Sequence, residues 1–252
     1  MEKGSYPNWV EVNLDAVESN VRFLLSHTNR PLLAVVKADA YGHGAVEVGK
    51  AALVAGASWL GVARYGEARV LRNAGITAPI LVLGMATADE VDEAIASGVT
   101  LNMHSFEAAE LYSQRGKAAG KPVLVHLKVN TGMNRLGVLP EEVVPLAKRA
   151  NELGGIHIDG MFSHYANATT PGDPFTPIQT ARMKKAVDAI TQAGLLPKWV
   201  HLANSAGSYY EPDGYFNMVR SGSAVTGLAF RDNTPYPSTM RHAFEWKVLL
   251  AA

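Results

Sequence analysis

Lys37 stands at the end of an apolar run, where a lysine amine can take part in covalent chemistry. The run covers residues 32–36, and a glycine-bracketed turn, Gly42-His43-Gly44, follows before a helix expected from about Ala45. An apolar environment disfavours the charged ammonium form and leaves a nucleophilic amine, which suits a Schiff base. The alternative is a lysine that buries its stem and extends its charged head into solvent.

Polar residues also follow the other apolar runs of the chain. Four of them carry a positive charge: Lys37, Lys128, Arg135 and Arg220. No carboxylate stands among the residues that end these runs. A group of cations without a counter-charge favours an anionic ligand, and phosphate is the first candidate.

Small residues dominate the loops after the last two apolar runs. These loops read Asn204-Ser205-Ala206-Gly207 and Ser221-Gly222-Ser223-Ala224. Small residues let backbone N–H groups approach an anion closely, although tight structural turns have the same composition. A Schiff-base lysine beside a phosphate site favours pyridoxal phosphate as the cofactor. An aldolase that uses the lysine on a sugar phosphate is the alternative.

Alternating strands and helices would position these residues. Apolar runs typical of buried strands occur at 31–37, 58–63, 79–84, 99–103, 122–129, 156–163, 198–203 and 216–220. Helical patterns lie between most of them, at 45–55, 65–74, 88–97, 105–119, 141–153 and 175–193. A strand at 9–13 and a helix capped by Asp15 are predicted before this series.

Continuous apolar strands joined by helices indicate a parallel sheet that is covered on both faces. Eight such strands predict an α/β fold of the TIM type, a (β/α)8 barrel, with the site at the carboxyl ends of the strands. Leu83, His164 and Asn204 then share one rim with the cations. An open doubly wound sheet is the alternative, but no glycine-rich dinucleotide turn follows the first strand.

Composition excludes several classes of protein. The chain has 252 residues, of which 48% are hydrophobic and 18% charged, enough for one large barrel or two small domains. Basic and acidic residues balance at 23 each, so nothing indicates nucleic acid or an anionic membrane as a partner. The absence of cysteine excludes disulfides, and no histidine pair has a metal-ligand spacing. No signal peptide or spanning segment is evident, and we expect a cytoplasmic protein.

Five stretches of the sequence resemble the alanine racemases. Residues 34–44 resemble their cofactor-lysine motif, and Lys128 with residues 131–137 resembles their second motif. Three further stretches match in the same order: 163–166, 201–206 and 216–220. The matches run in register from about Trp9 to Trp246, and the five motifs together are highly specific.

The resemblance implies a role for each matched residue. Lys37 would hold pyridoxal 5'-phosphate as an aldimine and act as the base on one face of the substrate. Tyr41 would give its hydroxyl to the phosphate. Three residues would cradle that phosphate, largely through backbone N–H groups: Ser205, Gly222 and Ser223.

The other end of the cofactor has its own implied partners. Arg135 would bond the phenolic oxygen, and Lys128, which can be carbamylated in this family, would hold Arg135. Arg220 would face the pyridine nitrogen, with His164 behind it. Leu83 and Asn204 would complete the site. A guanidinium only donates hydrogen bonds, so the ring nitrogen stays unprotonated, which favours simple proton removal and return at Cα.

The resemblance also implies a missing part. Racemisation needs a second base, which in this family is a tyrosine from the C-terminal β domain of the partner subunit. We expect residues 1–239 to form the barrel and residues 240–252 to be the first strand of that β domain, cut short. A natural one-domain relative is the alternative. The family homodimer would then be weakened or lost, and activity impaired.

The sequence therefore predicts an alanine racemase that interconverts L- and D-alanine through pyridoxal phosphate and supplies D-alanine for cell-wall synthesis. A racemase of another amino acid, such as serine, would share these motifs. A one-domain pyridoxal phosphate-binding protein without turnover is the rival from another class. A sugar-phosphate lyase has little support beyond Lys37.

Overall fold

The computed structural model describes residues 8–228 and 238–249. The first seven residues and the last three of the predicted segment 240–252 lie outside this described part. The strands are Asn8–Val12 (β1), Leu32–Val35 (β2), Trp59–Val62 (β3), Ile80–Val82 (β4), Leu101–Met103 (β5), Val123–Lys128 (β6), Ile156–Phe162 (β7), Trp199–His201 (β8), Val219–Ser221 (β9) and Phe244–Val248 (β10).

Strands β2 to β9 form a closed parallel barrel. Two sets of four parallel strands run in the orders β4-β3-β2-β9 and β5-β6-β7-β8. Parallel bridges from Leu81 to Thr100 and from His201 to Met218 join the two sets at both seams. Because the last strand returns to the first through the β2–β9 pairing, the predicted eight-stranded barrel is confirmed.

Helices cover the outside of the barrel, close to the predicted positions. Their bounds are Leu14–Thr28, Ala45–Val54, Tyr65–Asn73, Ala88–Ser97, Phe106–Ala118, Val143–Leu153, Phe175–Gln192 and the short Gly207–Tyr210. The predicted cap of the first helix is wrong. Asn13, not Asp15, is the N-cap, since it has extended backbone angles and its side chain accepts from the Ala16 N–H at 3.0 Å. Asp15 lies inside the first turn, where its carboxylate complements the helix dipole.

Side chains of β2 alternate between two cores. Leu33 and Val35 belong to a cluster inside the barrel, whereas Leu32 and Ala34 belong to the larger core beneath the helices. Since inward residues recur every second position, Lys37 is the next inward position above Val35, at the carboxyl end of the strand. The alternation of β2 thus delivers the amine to the barrel mouth.

A two-stranded antiparallel sheet lies apart from the barrel strands. β1 pairs with β10 over five residues, from Asn8 opposite Val248 to Val12 opposite Phe244. The strand expected within 240–252 is therefore present, and one of its edges is paired. Its assignment to a second domain stays a prediction.

Asn20 ties this terminal region to the first barrel helix. Its buried amide donates to the carbonyls of Val225 and Arg241 at 3.1 and 2.8 Å and accepts from the Arg241 N–H at 2.9 Å. Each of these bonds joins two residues that are more than 200 positions apart in the sequence.

Replacing Asn20 with alanine should lower the free energy of unfolding by about 3 kcal/mol, because buried backbone groups lose their partners. Urea denaturation of the purified chain measures this change. Asn151→Ala, at an exposed position of the helix Val143–Leu153, is the matched control and should change stability by less than about 0.5 kcal/mol. Equal effects of the two substitutions would contradict the assignment.

Candidate active site

A cavity of about 270 Å³ opens at the carboxyl ends of the barrel strands. Ten of the eleven predicted site residues line it: Lys37, Tyr41, Leu83, Lys128, Arg135, His164, Asn204, Ser205, Arg220 and Gly222. The prediction that these positions converge on one rim agrees with this placement.

Ser223 is the exception, since it does not line the cavity. It is half-buried, and its carbonyl accepts from the Thr226 hydroxyl at 3.2 Å and from the Leu228 N–H at 2.8 Å. Ser223 therefore stabilises the loop after β9 through its carbonyl, while Gly222 lines the cavity.

The segment that follows Lys37 is a left-handed helical turn. Residues 38–41 have φ between 50° and 58°, although none is glycine. Each such residue costs roughly 1–2 kcal/mol, so this conformation persists only when its surroundings impose it. The predicted turn at Gly42 and Gly44 is present, but the sequence did not predict the left-handed turn before it.

Two carboxylates hold this strained turn. Glu67 accepts from the N–H of Ala38 at 2.8 Å and also from the N–H of Ala63 at 2.6 Å, which joins the turn to the loop after β3. Asp39 accepts from the Ala45 N–H at 2.7 Å and connects the turn to the next helix. Glu67 was missed in the sequence because its partners are backbone groups, which leave no residue pattern.

The glycine of the loop after β9 makes room for Tyr41. A Cβ atom at Gly222 would overlap the Tyr41 hydroxyl, so only glycine allows this close approach. Burial raises the pKa of Tyr41 to about 12, and its hydroxyl stays a hydrogen-bond donor at neutral pH. The Ser205 hydroxyl oxygen accepts from the N–H groups of Gly222 and Ala224 at 2.9 and 3.5 Å. Hydroxyls and backbone donors therefore converge in this corner.

Asn204 shapes the other side of the same corner. Its side-chain oxygen accepts from the Gly207 N–H at 2.9 Å, and its carbonyl accepts from the Ser208 N–H at 2.7 Å. These bonds start the short helix Gly207–Tyr210 and fix the loop that carries Ser205. The predicted supporting position of Asn204 matches this geometry.

The opposite side of the cavity is cationic. Lys128 is buried, and its amine lies 4.3 Å from the centre of the Phe162 ring. Burial, with the charges of Arg220 and Arg135, holds the pKa of Lys128 well below its usual range. Arg135 is exposed at the mouth. Among the described residues that line the cavity, none is a carboxylate.

Arg220 lies on the floor of the cavity and is held without a counter-charge. Its guanidinium donates to the carbonyls of Ser163 and Leu202 at 2.8 and 3.2 Å. It also contacts Nδ1 of His201 at 2.9 Å and Nδ1 of His164 at 3.2 Å. Burial, followed by the charge of Arg135, lowers the pKa of Arg220 to about 9, so it remains charged at neutral pH.

Two histidines continue inward from Arg220. Nε2 of His201 lies 2.9 Å from Nδ1 of His126, and both rings are fully buried. Their connection to Arg220 was missed, because His126 and His201 are 75 residues apart and meet only when the barrel closes.

Gln179 connects two of the loops that reach the cavity. Its amide donates to the Thr131 hydroxyl at 3.2 Å and to the His164 carbonyl at 3.1 Å, and accepts from the Ala166 N–H at 2.8 Å. A buried glutamine in a helix gives no signal in a single sequence, so this residue was also missed.

Comparison with known proteins identifies the family. The model of the alanine racemase N-terminal domain matches residues 12–230. The chain belongs to the alanine racemase family. It is 41% identical over 245 residues to the alanine racemase of Symbiobacterium thermophilum, covering 97% of this chain and 65% of that relative. It is 38% identical over 241 residues to that of Methanococcus maripaludis, covering 94% and 63%.

Solved structures of the family have the same fold. The alanine racemase of Streptomyces coelicolor A3(2) superposes with a TM-score of 0.90 at 34% identity, covering 95% of this chain and 66% of that one. The enzyme of Clostridium difficile 630 in complex with cycloserine gives 0.89 at 35%, covering 98% and 69%. This chain thus spans about two thirds of the length of the alanine racemases that it matches.

Two further features of the described residues bear on the site. No group of three or more histidine, aspartate or glutamate side chains within residues 8–228 and 238–249 is arranged to hold a metal ion. None of the helices in the same ranges has both the length and the apolar character needed to cross a membrane.

Acid should destabilise the fold through its buried histidines. Burial and the charge of Arg220 lower the pKa of His126 to about 3, and the same causes lower that of His201. The unfolded chain, whose histidines titrate near 6.5, therefore binds protons that the folded chain does not. The stabilising contribution is full above about pH 6.5 and is lost as the pH falls.

Replacing His126 isolates its contribution to the pH dependence of the free energy of unfolding. Between pH 4 and 6, the free energy of unfolding should fall less steeply in His126→Asn than in the original chain, by roughly 1.4 kcal/mol per pH unit. Urea denaturation at several pH values gives these slopes. The exposed His157 is the control, and His157→Asn should leave the slope unchanged. A His126→Asn slope equal to that of the original chain would show that His126 takes up a proton in the folded state.

Proposed function

We propose that this chain binds pyridoxal 5'-phosphate in the barrel mouth and uses it to move the Cα proton of alanine, as part of an alanine racemase. The observation that carries the proposal is the position of Lys37. Lys37 lines the cavity together with Tyr41, Gly222 and Arg220. Membership of the family supports the same activity.

The residues of the corner fit a phosphate. The Tyr41 and Ser205 hydroxyls can donate hydrogen bonds at one end of the cavity, and the Gly222 N–H, which donates to Ser205 Oγ at 2.9 Å, places the Ser205 hydroxyl there. The Tyr41 hydroxyl occupies the space where a Cβ atom of residue 222 would lie. Glycine at this position therefore lets the backbone of the loop approach that hydroxyl closely. These three residues would hold the phosphate.

The floor of the cavity fits an acceptor atom. Arg220 can only donate, so whatever faces it must present a lone pair, and we assign this position to the pyridine nitrogen. Arg135 at the mouth would bond the phenolic oxygen, and His164 supports Arg220 from Nδ1. When bound, pyridoxal phosphate withdraws electrons from the substrate Cα. Arg220 keeps that withdrawal moderate, which favours return of the proton over loss of other groups.

Lys37 is the group that we assign to the proton. Its amine makes no hydrogen bond to any described residue, so it is free to form the covalent link and afterwards to take the Cα proton from one face. Return of the proton to the other face needs a second group. The family resemblance assigns that group to a tyrosine of the partner subunit's C-terminal β domain, and we propose a homodimer for the whole protein.

Lys128 has the surroundings that carbamylation requires. It is buried, its pKa is lowered by burial and by two arginines, and a neutral amine is the form that adds CO2. The resulting carbamate would bring a negative charge to a cationic wall and could accept from Arg135.

The remaining assignments follow the family: alanine rather than serine as substrate, and a cytoplasmic location.

The covalent link can be tested directly. After incubation with pyridoxal phosphate and reduction with borohydride, peptide mass spectrometry should find the cofactor on Lys37. Lys37→Ala should lose the label and the yellow colour, because Lys128, the other described lysine that lines the cavity, has its amine packed against Phe162. Lys50→Ala, on the exposed face of the helix Ala45–Val54, should keep both. Label on another lysine would refute the assignment.

Proton transfer can be followed in heavy water. With pyridoxal phosphate and each enantiomer of alanine in turn, we expect deuterium at Cα of one enantiomer with its configuration retained, since Lys37 works on one face only. Mass spectrometry and chiral chromatography measure the two results. Deuterium with inversion would show that a second base reaches the site in this chain. Bound cofactor without any exchange would favour a pyridoxal phosphate-binding protein without turnover.

A further inference from the structure

The contacts of Arg220, His201 and His126 allow only one arrangement of protons. Arg220 donates to Nδ1 of His201 at 2.9 Å, so that nitrogen must carry a lone pair. A neutral His201 then bears its proton on Nε2, which donates to Nδ1 of His126 at 2.9 Å. His126 in turn carries its proton on Nε2.

We propose that His126 is a positioning residue for Arg220. By accepting from His201, it fixes the proton of His201 on Nε2 and keeps Nδ1 of His201 available to the guanidinium. Without this acceptor, His201 would leave a buried N–H without a partner, and its ring could turn or change tautomer. Arg220 would then lose the contact that orients it toward the cavity.

The barrel is built to seat the His126 ring. A bulge shifts the β6–β7 register between Val125 and His126, so that His126 pairs with Gly160. A Cβ at Gly160 would lie 2.6 Å from three atoms of the imidazole, which means that the ring occupies the space of the absent side chain. Trp59 packs against the ring from across the barrel, with the ring centres 5.2 Å apart.

His201 is fixed in the same way. Its ring stacks on Phe162 with centres 5.1 Å apart and an angle of 8° between the planes. Phe162 also lies beneath Arg220, whose guanidinium carbon is 5.4 Å from the ring centre. The stacking sets the tilt of the imidazole, and the hydrogen bond to His126 sets which nitrogen faces Arg220.

The charge state of the two rings agrees with this arrangement. Burial, with the charge of Arg220, lowers the pKa of both His126 and His201, so both are neutral at physiological pH. A proton on either ring would turn an acceptor into a donor and oppose Arg220. Nε2 of His126 has no hydrogen-bond partner in the described part of the chain, and the series of contacts ends there.

The proton positions can be read by NMR without any cofactor. In protein labelled with 15N-histidine, two-bond proton–nitrogen correlations at pH 7.5 distinguish the two neutral tautomers and the cation. Signals that disappear in His126→Asn and His201→Asn give the assignments. We expect both rings to be neutral with the proton on Nε2. A proton on Nδ1 of either ring, or a cation, would overturn the proposal whatever the function of the chain.

Paired substitutions test the effect on Arg220. In asparagine, the side-chain oxygen takes the place of Nδ1, so His126→Asn keeps an acceptor for His201, whereas His126→Leu removes it. We expect His126→Leu to shift the Nε2 resonance of His201 and to weaken pyridoxal phosphate binding about tenfold, the equivalent of one hydrogen bond. His126→Asn should restore both, and the exposed His157→Leu should change neither.

The cofactor measurement rests on the proposed function, whereas the NMR measurement does not. Failure of the original chain to bind pyridoxal phosphate would count against the proposed function, and the tautomers would still decide the role of His126. Unchanged binding and an unchanged His201 resonance in His126→Leu would show that the ring only fills space, and would overturn the proposal.

Discussion

The site depends on burying positive charge without a carboxylate. Removing a guanidinium from water costs several kcal/mol unless its donors find partners. Here the partners are neutral: the carbonyls of Ser163 and Leu202 and the imidazoles of His201 and His164. Both carbonyls lie just beyond the carboxyl ends of barrel strands, where backbone acceptors are no longer used by the sheet. The barrel rim therefore supplies hydrogen-bond acceptors to the buried guanidinium of Arg220.

The absence of a counter-charge has a chemical consequence. A carboxylate beside Arg220 would neutralise the cavity, whereas neutral acceptors leave its potential positive. Burial is the largest cause of the lowered pKa values of Lys128 and His164, and the neighbouring positive charges lower both further. Hydrogen bonds to the guanidinium thus fix the protonation of its neighbours, and the cavity favours an anion over any other ligand.

Four successive strained residues lie beside the amine of Lys37. The left-handed residues 38–41 cost several kcal/mol together, yet they follow a fully buried strand and are held by Glu67. A regular helix starting after Lys37 would turn the chain in the opposite sense. The turn also carries Tyr41 to Gly222, so one irregular segment places both the Lys37 amine and the Tyr41 hydroxyl.

The sequence predicted what depends on local patterns. Apolar runs located the strands, and the strand ends located Lys37, Arg220 and Gly222. It did not predict the Glu67 clamp or the connection between Arg220 and His126, because both arise from contacts between distant segments. Even the first helix cap was misplaced by two residues, since Asn13 and Asp15 are both good capping residues and only the backbone angles distinguish them.

These constraints together single out one group in the cavity. Burial keeps Tyr41 protonated, Arg220 is charged and hydrogen-bonded to neutral acceptors, and the pKa of His164 is lowered so that it stays neutral. Lys128 is enclosed against Phe162. Groups whose protons are fixed can orient a ligand, but they cannot exchange a proton with it. The amine of Lys37, which lines the cavity and makes no hydrogen bond to a described residue, is therefore the group to which we assign the covalent link and the proton transfer in the proposed function.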